Sequence, residues 1–169
     1  MPVWFGSVDP AGVRFQIEAS GYMENQVLFR PARAEDWPAV AALLGQARLP
    51  LAGVQEHLSE FVLAWRNEMP VGVAGLERYD SVALLRSVTV APPERGQGLG
   101  SALVQHLLGR ACSQGIRQIV LLTESAADFF PRFGFRPIER GAAPEGVWAS
   151  AEFQGACPVS ATVMQLDLG

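Results

Sequence analysis

The sequence predicts a single layered α/β domain. Three observations carry this. Short apolar runs rich in β-branched residues recur along the chain with helical patterns between them. Two of these runs, Phe61 to Arg66 and Val71 to Tyr79, are separated only by Asn67-Glu68-Met69-Pro70, a hairpin turn signal. A third, Arg117 to Thr123, is nearly unbroken Ile, Val and Leu, the pattern of a central strand covered on both faces.

The 169 residues are 49% apolar and 18% charged, the balance of a globular chain with one core. The expected division is an N-terminal extension over residues 1–26 and one domain over 27–169. In the extension, Val3-Trp4-Phe5 and Val13 to Ile17 form a β-hairpin pattern across Asp9-Pro10-Ala11-Gly12, and Met23 is a second candidate start. A net charge of −4 argues against a nucleic-acid partner, which needs a basic face. No apolar run reaches membrane-spanning length and the N-terminus has no basic start or apolar signal core, so the expected location is cytoplasmic, with no membrane partner. Cys112 and Cys157 read as reduced thiols, and His57 and His106 show no metal-ligand spacing, so no metal is expected.

Taken in order, Val27 to Arg33 reads as the first strand. Ala34-Glu35-Asp36-Trp37-Pro38 opens a helix with acids in its first turn and Val40, Leu43, Leu44 and Ala47 on its buried stripe. Arg48 to Val54 is a Pro/Gly-containing loop that leads to a short helix, Gln55 to Glu60. The hairpin follows, and then Ala83 to Val90 as its third antiparallel neighbour. Pro92-Pro93 stops that strand, and Arg95-Gly96-Gln97-Gly98-Leu99-Gly100 leads into a helix with Leu99, Leu103 and Leu107 on one stripe beside Ala102 and Ala111. After Arg117 to Thr123, Ser125 is placed to cap a helix Ala126 to Phe133, which Gly134 ends. A strand at Phe135 to Glu139, a helical segment at Pro144 to Phe153, a turn at Gly155 to Pro158 and a last strand at Ser160 to Leu168 complete the chain.

The strand, glycine turn and helix start between Ala83 and Arg110 make an anion site. The first helix amides have no partner within the helix, and the helix dipole adds positive charge there. Glycines let a phosphate approach the backbone, and Arg95 adds a permanent cation. The glycines fall at alternate positions, which is not the G-x-G-x-x-G of a dinucleotide fold. The chain contains no lysine, which excludes a P-loop and any Schiff base.

The run Arg95 to Gly100 resembles the acyl-CoA pyrophosphate loop of the GNAT superfamily of N-acetyltransferases. Ala127 to Pro137 resembles that family's helix-turn-strand ending in Gly-Phe. Together with the strand order, the resemblance covers about Val27 to Leu168. It implies a GNAT-like mixed, mostly antiparallel central sheet with helices on both faces, splayed at its two central parallel strands, and acetyl-CoA as cofactor. The pyrophosphate falls to Arg95, Gly96, Gln97, Gly98, Leu99, Gly100 and Ser101, and the pantetheine arm to Val88, Thr89 and Val90. Phe130 also faces the coenzyme, and a homodimer is common among such proteins.

Two departures bear on catalysis. Many family members carry a glutamate early in the strand before the loop, where this chain has Ala83-Leu84-Leu85. Glu77 and Glu124 are the alternative bases; the other reading of Glu77 is a rim carboxylate paired with Arg78 or Arg86. A tyrosine that often protonates the leaving thiolate is replaced in Phe129-Phe130, which leaves release to solvent. Arg86, inside an apolar strand, either pairs with an acid such as Glu77 or faces the acceptor cavity to meet an anionic substrate. His57 is either a solvent-exposed helix residue or an acceptor contact. Leu85-Arg86-Ser87, Phe129-Phe130, Pro144, Trp148 and Cys157-Pro158 further resemble short N-acetylglutamate synthases and arsenic-operon acetyltransferases. The expected function is acetyl transfer from acetyl-CoA to the primary amine of a small molecule, an amino acid or analogue, by direct attack in a ternary complex. The rivals are a protein or peptide N-acetyltransferase and a noncatalytic acyl-CoA-binding module.

Overall fold

A computed structural model describes residues 26–169, so the hairpin expected within residues 1–26 lies outside the described residues. The chain runs β1 (Val27–Pro31), α1 (Trp37–Gln46), β2 (Phe61–Arg66), β3 (Met69–Tyr79), β4 (Val82–Val90), α2 (Leu99–Ser113), β5 (Gln118–Thr123), β6 (Arg136–Ile138) and β7 (Thr162–Asp167). The strands form one sheet in the order β1-β2-β3-β4-β5-β7-β6. Every neighbouring pair is antiparallel except β4 and β5.

The β2–β3 hairpin is tighter than the four-residue signal suggested. Arg66 pairs with Met69, and the two turn residues Asn67 and Glu68 both have positive φ, 49° and 63°. This two-residue form matches the twist of the strands it joins.

Alternate residues on each strand point to opposite faces, and the core divides accordingly. Val62, Ala64, Leu76 and Leu85 pack on α2 through Leu99, Leu103, Val104, Leu107 and Ala111. Val104 takes the place expected for Ala102, which is only half-buried. On the other face, Phe61, Leu63 and Val73 pack on α1 through Val40, Leu43 and Leu44. Ala47 lies just past the helix end. Further along that face, Leu84, Val120 and Val163 are covered by Val147 and Phe153 of the C-terminal tail. Each fully buried Val, Leu or Phe among them contributes roughly 1.5–3 kcal/mol. The second face is therefore roofed by two separate pieces, α1 and the tail, with a seam between them.

Two expected helices are shorter than their patterns. Asp36 closes a 3-10 turn ahead of α1 and is itself buried, taking two hydrogen bonds from Arg30 and one from the Arg33 amide. Those partners hold its carboxyl below the usual range against the opposing effect of burial. The segment expected as a helix over Ala126 to Phe133 is a turn followed by a 3-10 helix, Phe130–Phe133. Its start is capped by Thr123, whose Oγ1 accepts from the Ala126 amide at 2.9 Å, rather than by Ser125. Gly134, at φ 95°, ends it as expected. No helix among the described residues is long and apolar enough to cross a membrane.

Candidate active site

The parallel pair β4/β5 is joined only at its beginning. Val82, Ala83 and Leu84 pair with Gln118, Ile119 and Val120. From there β4 keeps only its partner β3, and β5 keeps only β7. The splay leaves the end of β4 facing a cleft of about 570 Å³. Val88, Thr89 and Val90 line one wall. Ser125, Ala126, Phe129 and Phe130 line the other, and Arg95 and Gly100 stand at the start of α2.

A β-bulge sets what each side of β4 sees. Gly75 pairs with Arg86 and Val73 with Thr89, so one residue of β3 faces two of β4, and Ser87 takes φ 61°. The extra residue reverses the alternation beyond it. Leu84 and Arg86 therefore point to the α1 and tail face, whereas Val88 and Val90 pack on the α2 side.

The glycine turn is open where a ligand would need it to be. Gly96 and Gly98 have φ 80° and 81°, and a Cβ built on either would meet no protein atom within 4 Å. No side chain caps the helix that Gly98 begins. The turn is held in place by the Ala91 amide, which donates to the Val71 carbonyl at 2.8 Å, and by the Arg66–Glu94 pair at 2.9 Å. Arg95 Nε donates to the Val90 carbonyl, which leans that guanidinium over the end of β4. The backbone cradle and its cation fit a diphosphate in both shape and charge. Leu99 is buried in the core, so its side chain belongs to packing and its amide to the turn.

On the opposite face, in the seam between α1 and the tail, lies a buried polar network. The side chains of Arg86 and Glu77 are 0% and 1% exposed and meet at 3.0 Å. Arg86 Nη1 also donates to the Ala52 carbonyl, Nη2 to Pro50 and Nε to Ser87 Oγ. Gly53, at φ 80°, is what lets the Arg48 to Val54 loop come so near. A Cβ there would lie 3.2 Å from both Arg86 Nη1 and Glu77 Oε1. Glu77 is thus no rim carboxylate, since β3 carries it into the sealed seam. Of the two readings of Arg86, the pair with an acid is present: Glu77 holds it, and Ser87 and the loop carbonyls of Pro50 and Ala52 also accept hydrogen bonds from it.

The rest of the network comes from three elements. Tyr79 Oη donates to Glu77 Oε2 at 3.0 Å; burial, with help from Glu77, pushes its hydroxyl up to about 12. His57, half-buried, brings Nε2 to 3.8 Å from Glu77 Oε1. Glu152 in the tail places Oε1 3.4 Å from Arg86 Nε, while its Oε2 is buried without a hydrogen-bond partner. Burial pushes the Glu152 carboxyl up to about 7 although Arg86 opposes the shift. The adjoining Cys157 thiol is raised to about 12, by burial and then by Glu152. Glu124 is exposed at the end of β5, on the Cys157 side of this group. Sequence reasoning singled out Glu77, Arg86 and His57 but not Glu152 or Tyr79. No spacing marks Glu152, which reaches Arg86 only through the fold. Among the described residues no cluster of His, Cys, Asp and Glu is arranged to hold a metal.

A sheet splayed at its one parallel pair, with a glycine-started helix beneath the gap, is an acyl-coenzyme-A-binding design, and comparison with known proteins agrees. Residues 57–137 match the acetyltransferase (GNAT) domain. An amino-acid acetyltransferase of Mycobacterium tuberculosis is 31% identical over 120 residues, covering 65% of this chain and 68% of that protein. An uncharacterised N-acetyltransferase of Chlorobaculum tepidum is 28% identical over 94 residues, 55% of this chain and 60% of its own length. The N-acetylglutamate synthase of Neisseria gonorrhoeae, solved with coenzyme A and N-acetylglutamate, superposes with a TM-score of 0.73 at 22% identity. That match covers 86% of this chain but only 36% of the synthase. The chain belongs to the GNAT family of acetyltransferases, whose acyl donor is acetyl-CoA.

Proposed function

We propose that this chain transfers the acetyl group of acetyl-CoA to the α-amine of an amino acid or a close analogue. The observation that carries the reading is the two-sided end of β4: Val88–Val90 open on the cleft, and Arg86 buried in the seam behind them. The relatives named for amino-acid and glutamate acetylation support the acceptor class. Amides of Gly96 to Ser101, with Arg95, hold the pyrophosphate. The exposed edge of β4 at Val88, Thr89 and Val90 pairs with the pantetheine arm, and Phe130 closes the far wall. The coenzyme supplies an acetyl group already activated as a thioester, so the protein needs no covalent intermediate. Its residues orient the carbonyl against a β4 N–H group and exclude water, while a carboxylate of the seam accepts the amine proton. Of the two bases expected from sequence, Glu77 lies in the seam beside Arg86 and Glu124 lies exposed just past the end of β5.

A protein or peptide acceptor is disfavoured by the loop at Pro50 and Ala52, which Arg86 pins over the seam. Thiol release from acetyl-CoA over a panel of amino acids, polyamines and short peptides tests the reading. Amino-acid turnover is the expected result. Coenzyme binding with no acceptor turnover refutes it in favour of a noncatalytic binding module, and peptide turnover alone refutes it in favour of a peptide acetyltransferase.

A further inference from the structure

Glu77 has no oxygen to spare. Oε1 takes Arg86 Nη1, with His57 Nε2 behind it, and Oε2 takes the Tyr79 hydroxyl. The same arginine meets a second carboxylate on its other side, from an element 66 positions later in the chain. Glu152 is 4% exposed. Its amide is tied to Ser150 Oγ at 3.2 Å, which orients the wide turn Glu152–Ala156 toward the sheet. Its Oε2 is the one carboxylate oxygen of the Glu77–Arg86–Glu152 group with no partner, although it is sealed from solvent. A buried acceptor without a full hydrogen bond is costly; the Cys157 thiol beside this carboxylate is only a weak donor, so the atom can take a stronger one from outside the chain.

We propose that Glu152, rather than Glu77, receives the proton of the acceptor's ammonium group, while Arg86 and Glu77 fix its position. This rests on the acetyltransferase reading above. An N–H bond of the ammonium breaks and an O–H bond forms on Glu152. The freed amine then forms the C–N bond as the C–S bond of the thioester breaks. The departing thiolate takes the second amine proton, and Glu152 passes its own to water admitted as the product leaves. One arginine between two carboxylates leaves the group one negative charge in excess, which favours a cationic amine at its edge. The groups facing Glu152 are Arg86 from β4, Glu77 from β3 and Cys157 at the end of its own turn, with Tyr79 and His57 on the far side of Glu77 and Glu124 beyond Cys157. The carboxyl of Glu152, raised to about 7, is matched to proton transfer near neutral pH.

The test compares the wild-type chain with Glu152→Gln and Glu152→Asp, using acetyl-CoA with L-glutamate or L-glutamine from about pH 5.5 to about pH 9, which brackets neutrality. The wild-type kcat/KM is expected to rise through about pH 7. Glu152→Gln is expected to lower kcat roughly 10²–10⁴-fold and to lose that inflection, with acetyl-CoA binding by calorimetry unchanged. Glu152→Asp is expected to recover part of the rate with a displaced inflection. A Glu152→Gln enzyme that keeps the wild-type rate and inflection overturns this inference alone. If neither amino acid is acetylated although acetyl-CoA binds, the amino-acid reading falls and this inference falls with it. Should Glu152→Gln fail to fold, the Glu152→Asp profile decides: an unmoved inflection overturns the assignment.

Discussion

Replacing Glu152 by glutamine is expected to make the protein more stable above neutral pH while making it a worse enzyme. Glutamine has the shape of a protonated glutamate and cannot ionise. The wild-type carboxyl has an ordinary value of 4.5 and is raised to about 7 in the folded chain, first by burial. Between those values the native state holds a proton that the unfolded state has released. Stability therefore falls as pH rises through this window, and the loss is complete above the folded value. Two and a half units at 1.36 kcal/mol each give about 3 kcal/mol. For a chain of this size that corresponds to roughly 6–12 °C in Tm. Urea unfolding of the two proteins at half-unit steps from pH 4.5 to 8 checks it. The curves should meet at the acid end and separate steadily, the variant above. Parallel curves would falsify the claim that the cost of ionising Glu152 is carried by the native fold.

Other outcomes follow from the same geometry. Gly98→Asp should fold, because a Cβ there meets no protein atom, with a backbone cost of about 1 kcal/mol at φ 81°. Its affinity for acetyl-CoA, measured by calorimetry, should drop about a hundredfold or more, through lost amide contacts and added like charge. Arg86→Ala should destabilise by about 3–5 kcal/mol in denaturant unfolding, because it strands Glu77 in a sealed seam. A folded, fully stable Arg86→Ala protein would contradict the burial described for this pair. Gly75→Ala should cost about 1–3 kcal/mol in the same measurement, since the Phe61 ring lies over Gly75 and neither can withdraw.

Much of the sheet was legible because its signals are local. The unbroken apolar run of β5 marked a strand covered on both faces, and the turn residues between β2 and β3 marked their hairpin. The glycines at 96, 98 and 100 declared an open helix start. Pairings that depend on the fold were not legible. Ser125 and Thr123 are both competent caps two residues apart, and only the turn geometry selects Thr123. Glu152 is one acid in a short-helix tail, with nothing in its neighbours to single it out. It reaches Arg86 because β7 returns along β5 and brings the tail across the second face of the sheet.

The bulge in β4 lies between these two cases and shows how function was written into a strand. In Leu84-Leu85-Arg86-Ser87-Val88-Thr89-Val90 the apolar alternation slips: counting by twos from Leu85 lands on Ser87 and Thr89, not on Val88 and Val90. A slip of one in a period of two is the mark of an inserted residue. Arg86 could thus have been assigned to the face opposite Val88 before any coordinates existed. A regular strand would have turned Ser87 and Thr89 toward α2 and left Val88 and Val90 on the Arg86 side. By breaking phase at Ser87, one strand meets the coenzyme cleft with apolar side chains and carries a charged network on its other face. In the proposed reaction, that division would let two ligands approach a single stretch of backbone from opposite sides.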